Sequence, residues 1–116
     1  MAKLYAQAAE SVLETAATLA ISASVAGSAI CQGHARLVGL LWSNASAAAG
    51  AGSGLHFLES SDYGAHWDTI AASQAITAST AASVNLTLIG NAVKVQVWNG
   101  ATAASIFRAS FRLYPV

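Results

Sequence analysis

The C-terminal stretch "NAVKVQVWNGATAASIFRASFRLYPV" alternates apolar and polar residues with a period of two. Phe107, Ala109, Phe111 and Leu113 fall on one face, and Arg108, Ser110, Arg112 and Tyr114 on the other. Successive side chains of a strand point to opposite sides of a sheet, so this register predicts a half-buried strand with its apolar face inward. Just before it, Val93, Val95 and Val97 share one face and Lys94, Gln96 and Trp98 the other. Asn99-Gly100 is a turn signal, and Ala101 to Ala103 lengthen the connection beyond two residues. Residues 92–114 therefore read as a β-hairpin.

The same pattern recurs upstream. "SVNLTLIGN" directs Val84, Leu86 and Leu88 inward and ends in a turn, and "GLHFLES" places Leu55 and Phe57 together. "HARLVGLLW" is apolar on both faces, which predicts a central strand covered on each side. "NASAAAGAGSG" reads as a small-residue loop unable to pack a core. The N-terminal third reads as a loose arm over residues 1–10, then strands near Val12–Ile21 and Val25–Cys31, with a short helix over Lys3–Thr15 as the competing reading. The expectation is an all-β sandwich, Ig-like or jelly-roll, of seven to eight antiparallel strands in one domain spanning residues 11–116, behind a flexible arm.

Composition narrows the function. Of the 116 residues only 9% are charged, against about 25% in an ordinary soluble domain, and net charge is zero. The five basic residues, Lys3, Arg36, Lys94, Arg108 and Arg112, are scattered, which argues against nucleic acid. Alanine, at 28 residues, supplies much of the hydrophobic content. The best candidate for a membrane span, Thr15–His34, is dotted with Ser, Thr, Gln and Gly, so no membrane segment is expected. Glu10 and Glu14 ahead of the apolar region argue against a signal peptide. Cys31 is the single cysteine and reads as a small buried hydrophobe. A chain with so little charge has weak protection against self-association, which points to an assembly and to a homo-oligomer.

"HFLESSDYGAHWDTI" (His56–Ile70) concentrates two of the three histidines and three of the five carboxylates. His56 and Glu59 fall on opposite strand faces, and two ligands such as His66 and Asp68 do not complete a metal site. "SSDYG" instead predicts a tight turn, with Ser or Asp bonding nearby amides, Gly64 at positive φ, Trp67 folded back as a core or corner aromatic, and Glu59 and Asp68 as solvated strand-end charges. No nucleophile elbow or phosphate loop is present. No catalytic residue, metal or cofactor is expected.

The order of motifs resembles a family of small β-sandwich proteins encoded among tailed-bacteriophage virion genes. The matching pieces are "LHFLESSDYGAHWDTI" (Leu55–Ile70), "IGNAVKVQVWNGATAASIFRASFRLYP" (Ile89–Pro115) and, more weakly, "ETAATLAI" (Glu14–Ile21). Tyr63 departs from the family pattern, which usually has glycine directly after the aspartate. The resemblance implies a structural virion protein without enzyme activity: a capsid decoration (cement) protein, or a component of the tail or a fibre. Its partners would be the major capsid protein or another virion protein, and its location the virion, assembled in the host cytoplasm. A glycan-binding module on a tail or fibre is the alternative, since exposed aromatics can stack on sugars. Interface or ligand candidates are Tyr5, Trp42, Tyr63, His66 and Trp98.

Overall fold

The computed structural model describes residues 10–31, 35–50, 52–69 and 73–115. They form β1 (Glu10–Leu19), β2 (Ser24–Ile30), β3 (Ala35–Ser43), β4 (Gly54–Ser60), β5 (Asp68–Thr69), β6 (Ala82–Leu88), β7 (Ala92–Trp98) and β8 (Ala104–Pro115). A first sheet has the order β1-β8-β3-β6 and a second the order β2-β7-β4-β5. Every pairing is antiparallel. β1 pairs with β8, β2 with β7, β3 with β6 and β4 with β5, as in one long ribbon folded over on itself. The β8–β3 and β7–β4 pairings then complete the sheets. The protein is an all-β sandwich, and of the two expected connectivities it has the jelly roll rather than the Ig-like one.

The core follows the period-two pattern. Phe107, Ala109, Phe111 and Leu113 of β8 and Val93, Val95 and Val97 of β7 are buried, joined by Leu37, Leu41, Leu55, Phe57 and Leu88. Phe111 of the first sheet meets Phe57 of the second edge-to-face, centroids 6.1 Å apart at 68°. A register shift between Ser11 and Leu13 lets consecutive Val12 and Leu13 both face the core, which strict alternation forbids.

Several expectations need correction. Residues 92–114 are not a hairpin, because β7 and β8 belong to different sheets. Their connection crosses the sandwich beside the β1–β2 connection, with Ser22 N–H donating to Gly100 O (3.0 Å) and Asn99 N–H to Ala23 O (2.8 Å). Asn99 is buried between the two crossings. Its side-chain amide donates to Leu19 O, Ala20 O and Thr102 O at 2.9–3.0 Å, and its Oδ1 accepts from Gly100 N–H. The alternation identified both strands correctly but carried no information on which strand each would pair with. The Asn44–Gly54 loop also does contribute to the core: Ala45 and Ala47 are buried, and Ala47 bridges to Ile76. Residues 10–15 are strand rather than helix, with Glu10 already in β1. The rest of the proposed arm, including Tyr5, lies outside the described residues.

Candidate functional site

The polar stretch forms the β4–β5 corner. Ser60 is buried at the end of β4, and its Oγ accepts from Asp62 N–H (3.1 Å) and Gly64 N–H (2.8 Å) while donating to Asp62 Oδ1 (2.6 Å). Asp62 Oδ1 also accepts from His66 N–H at 2.9 Å, and Asp62 Oδ2 lies 2.6 Å from His66 Nδ1. Gly64 has φ 94°, as the turn chemistry requires, and Trp67 packs over it, with the Lys94 ammonium 5.9 Å from its ring centroid. Glu59 is not the solvated charge its position suggests. It is half-buried, and its Oε1 accepts from Ile89 N–H (2.9 Å) and Gly90 N–H (2.6 Å), pinning the β6–β7 turn. Asp68 is exposed, as expected. Cys31 is buried, with its Sγ donating to Gly90 O.

Tyr63 has φ 57°, a left-handed conformation that costs a non-glycine residue about 1–2 kcal/mol. Asn91 holds it there by accepting from Tyr63 N–H at 2.8 Å. Tyr63 is 62% exposed, beside a cleft of about 370 Å³ lined by Ser28, Ile30 and Trp67.

Hydrogen bonding shapes the charge states at this corner. The Asp62 carboxyl is held far below the usual carboxylate range, first by the Ser60 hydroxyl and then by the His66 side chain and backbone N–H. The His66 imidazole is pushed upward, first by its hydrogen bond to Asp62 and then by that carboxylate's charge. The His66 contribution to folding is complete below its ordinary value of 6.5 and is lost as pH rises through the raised one. The Asp62 contribution is present above its ordinary 3.8 and is lost as pH falls through the depressed value. The corner is thus firmest between those two ordinary values. In an NMR titration the His66 midpoint is expected above 6.5 and is expected to fall back toward it in Asp62→Asn. A parent midpoint at or below 6.5 would mean the pair does not form in solution.

The outer face of the first sheet is a different kind of surface. β3 is central, as its composition predicts, but only one of its faces is covered. Outward it presents Arg36, Val38, Leu40 and Trp42, with Leu40 57% exposed in the middle of the sheet. On β8 the outward residues Arg108, Ser110, Arg112 and Tyr114 pair with Trp42, Leu40, Val38 and Arg36 respectively. Two depressions of about 580 and 570 Å³ lie on this face and share Leu40 and Ser110. Trp42 lines the first, where the Arg108 guanidinium lies 4.8 Å from its ring centroid. Tyr114 lines the second, and Arg112 is ion-paired to Glu14 of β1 at 2.9 Å. Exposed Ile106 extends the apolar surface on β8.

The sequence candidates therefore do not converge. Trp42 is on the first sheet, Trp98 is half-buried on the outward side of the second, and Tyr63 and His66 are at the corner. Sequence reading missed Arg36, Leu40 and Tyr114 as members of one surface with Trp42. The usable signal was the surplus of apolar residues on the second face of "ARLVGLLW". Three arginines that are scattered in sequence share this sheet face, whereas Glu59, Asp62 and Asp68 gather at the β4–β5 corner. Among the described residues no group of three His, Cys, Asp or Glu side chains is placed to hold a metal ion, and no helix is long and apolar enough to cross a membrane. Neither a protein-family model nor a curated protein matches the chain.

Proposed function

We propose that the protein is a structural assembly subunit, a capsid decoration or cement protein of a tailed-phage virion, that docks through the outer face of its first sheet. The observation that carries this reading is Leu40, more than half exposed at the centre of a four-stranded sheet and flanked on its strand by Val38 and Trp42. An apolar patch rimmed by polar groups marks an interaction surface. The three arginines suit a partner that is apolar at the contact and acidic around it. They suit a nucleic acid poorly, since Arg112 is already paired with Glu14 and Arg108 is drawn over Trp42.

The jelly-roll connectivity is compatible with this role, being used by viral capsid domains, but it is shared with lectins and so does not decide between them. A glycan-binding module is the second reading, favoured by Tyr63 beside its cleft and by the outward Trp98. It is weaker on the first sheet, where Arg108 already occupies the Trp42 ring and the most exposed large hydrophobic residue is aliphatic.

Co-sedimentation with shells assembled from the major capsid protein of the same genome tests the proposal. Saturable binding is expected, weakened at least tenfold in Leu40→Asp with the fold retained. The absence of co-sedimentation, together with sugar binding that is lost in Trp98→Ala, would replace it with the glycan reading.

A further inference from the structure

The four sheet edges of this molecule differ sharply in how they are protected. Sheets ordinarily defend an edge with charges, proline, bulges, shortness or a covering element, because its free N–H and C=O groups invite another strand. β1 carries Glu14 and two register irregularities. It also lies against β2, the uncharged edge of the second sheet, so closely that a Cβ on Gly27 would collide with the Val12 carbonyl, and these two edges cover one another. β5 has two residues, one of them Asp68. β6 has none of these defences. It runs for seven residues, "ASVNLTL", in unbroken register with β3, without charge, proline or glycine. Among the described residues β3 is its only hydrogen-bonded neighbour.

The β6 sequence is also complementary to itself. An antiparallel twofold axis through Asn85 sets Asn85 opposite Asn85, Ser83 opposite Thr87, Val84 opposite Leu86 and Ala82 opposite Leu88. Core-facing Val84, Leu86 and Leu88 then meet apolar residues, and exposed Ser83, Asn85 and Thr87 meet polar ones. Both faces of the sheet continue across the axis. An axis falling between two residues would instead oppose inward to outward positions along the whole strand. Leu86, the one core-facing leucine of β6 left half-buried, would be covered by Val84 of the second copy.

We propose that β6 pairs with β6 of a second copy about Asn85, giving a twofold dimer with a continuous eight-stranded sheet. The partner is this chain itself, joined by an isologous contact. The dimer deepens the assembly reading, since it sets two Leu40-centred faces side by side in one surface and lets both engage a lattice together. One strand pair is a small interface, so the dimer is expected to be concentration-dependent.

Light scattering and sedimentation equilibrium over a concentration series test it. The parent is expected to rise from monomer toward dimer mass. Asn85→Asp and Asn85→Lys each place like charges opposite one another at the axis, and each alone is expected to remain monomeric where the parent dimerises. An equimolar mixture of the two is expected to recover the dimer. A parent that stays monomeric throughout, variants that dimerise like the parent, or a mixture that stays monomeric would each overturn the proposal. Circular dichroism reports whether the variants fold. Should a charged variant fail to fold, Asn85→Cys is expected to form a disulfide-linked dimer on mild oxidation, and no linkage would overturn the proposal equally. Leu40→Asp separates the two readings, since it is expected to weaken shell binding at least tenfold and leave the β6 dimer intact.

Discussion

Asn99→Ala is expected to lower the free energy of unfolding by about 3 kcal/mol, measured by urea denaturation. One side-chain amide serves the carbonyls of Leu19, Ala20 and Thr102, and its oxygen accepts from Gly100 N–H. Asn99 itself is 4% exposed, so water cannot readily replace what alanine removes. A buried backbone group left without a partner, as the Leu19 carbonyl would be, costs about 1–3 kcal/mol, and the part-buried Ala20, Thr102 and Gly100 groups add less because water can reach them. Asn99→Asp is the sharper test. It keeps an acceptor for Gly100 but turns a second oxygen toward three carbonyl oxygens, so it is expected to be at least as damaging as alanine, increasingly so as pH rises and the carboxyl ionises. An Asn99→Asp protein as stable as the parent would show that the asparagine does not tie the two crossings together.

Phe111→Ala is expected to cost about 4 kcal/mol, within the range for removing a fully buried phenylalanine. The ring has no solvent exposure and reaches from β8 to Phe57 across the sandwich. It also lies against Gly39, where an added Cβ would strike the ring. Phe111→Leu keeps much of the volume and is expected to lose only about 1–2 kcal/mol. A double-mutant cycle with Phe57→Ala should return a coupling of about 1 kcal/mol, the contribution of an edge-to-face pair beyond simple burial. Coupling near zero would mean that the two sheets are held by area alone.

The two substitutions probe different layers of information in the chain. Phe111 was identifiable as core from its neighbours, because Phe107, Ala109 and Leu113 share its parity. Asn99 was legible only as half of an Asn-Gly turn. Its role as a tie depends on Leu19 and Ala20, some 80 residues away, and no local pattern contains that distance. Glu59 is similar: as a strand-end charge it looked solvated, yet it holds backbone N–H groups of residues 89 and 90. The hydrogen bonds among Ser60, Asp62, Gly64 and His66 were readable for the opposite reason, since they run between residues no more than four apart, whereas the Asn91 bond that holds Tyr63 was not.

The sequence by itself determined the all-β class and the position and inward face of most strands, because a period of two is a property of neighbouring residues. It also carried the turn chemistry at Ser60–Gly64. Only the tertiary structure decided which strand lies beside which, and hence that the sandwich is a jelly roll in which β7 and β8 part company. Pairing depends on closing long loops and on competition among similar apolar strands, and neither is encoded in local alternation. The same step gathered Arg36, Arg108 and Arg112 around Leu40, left one face of β3 bare, and placed β6 at an undefended edge.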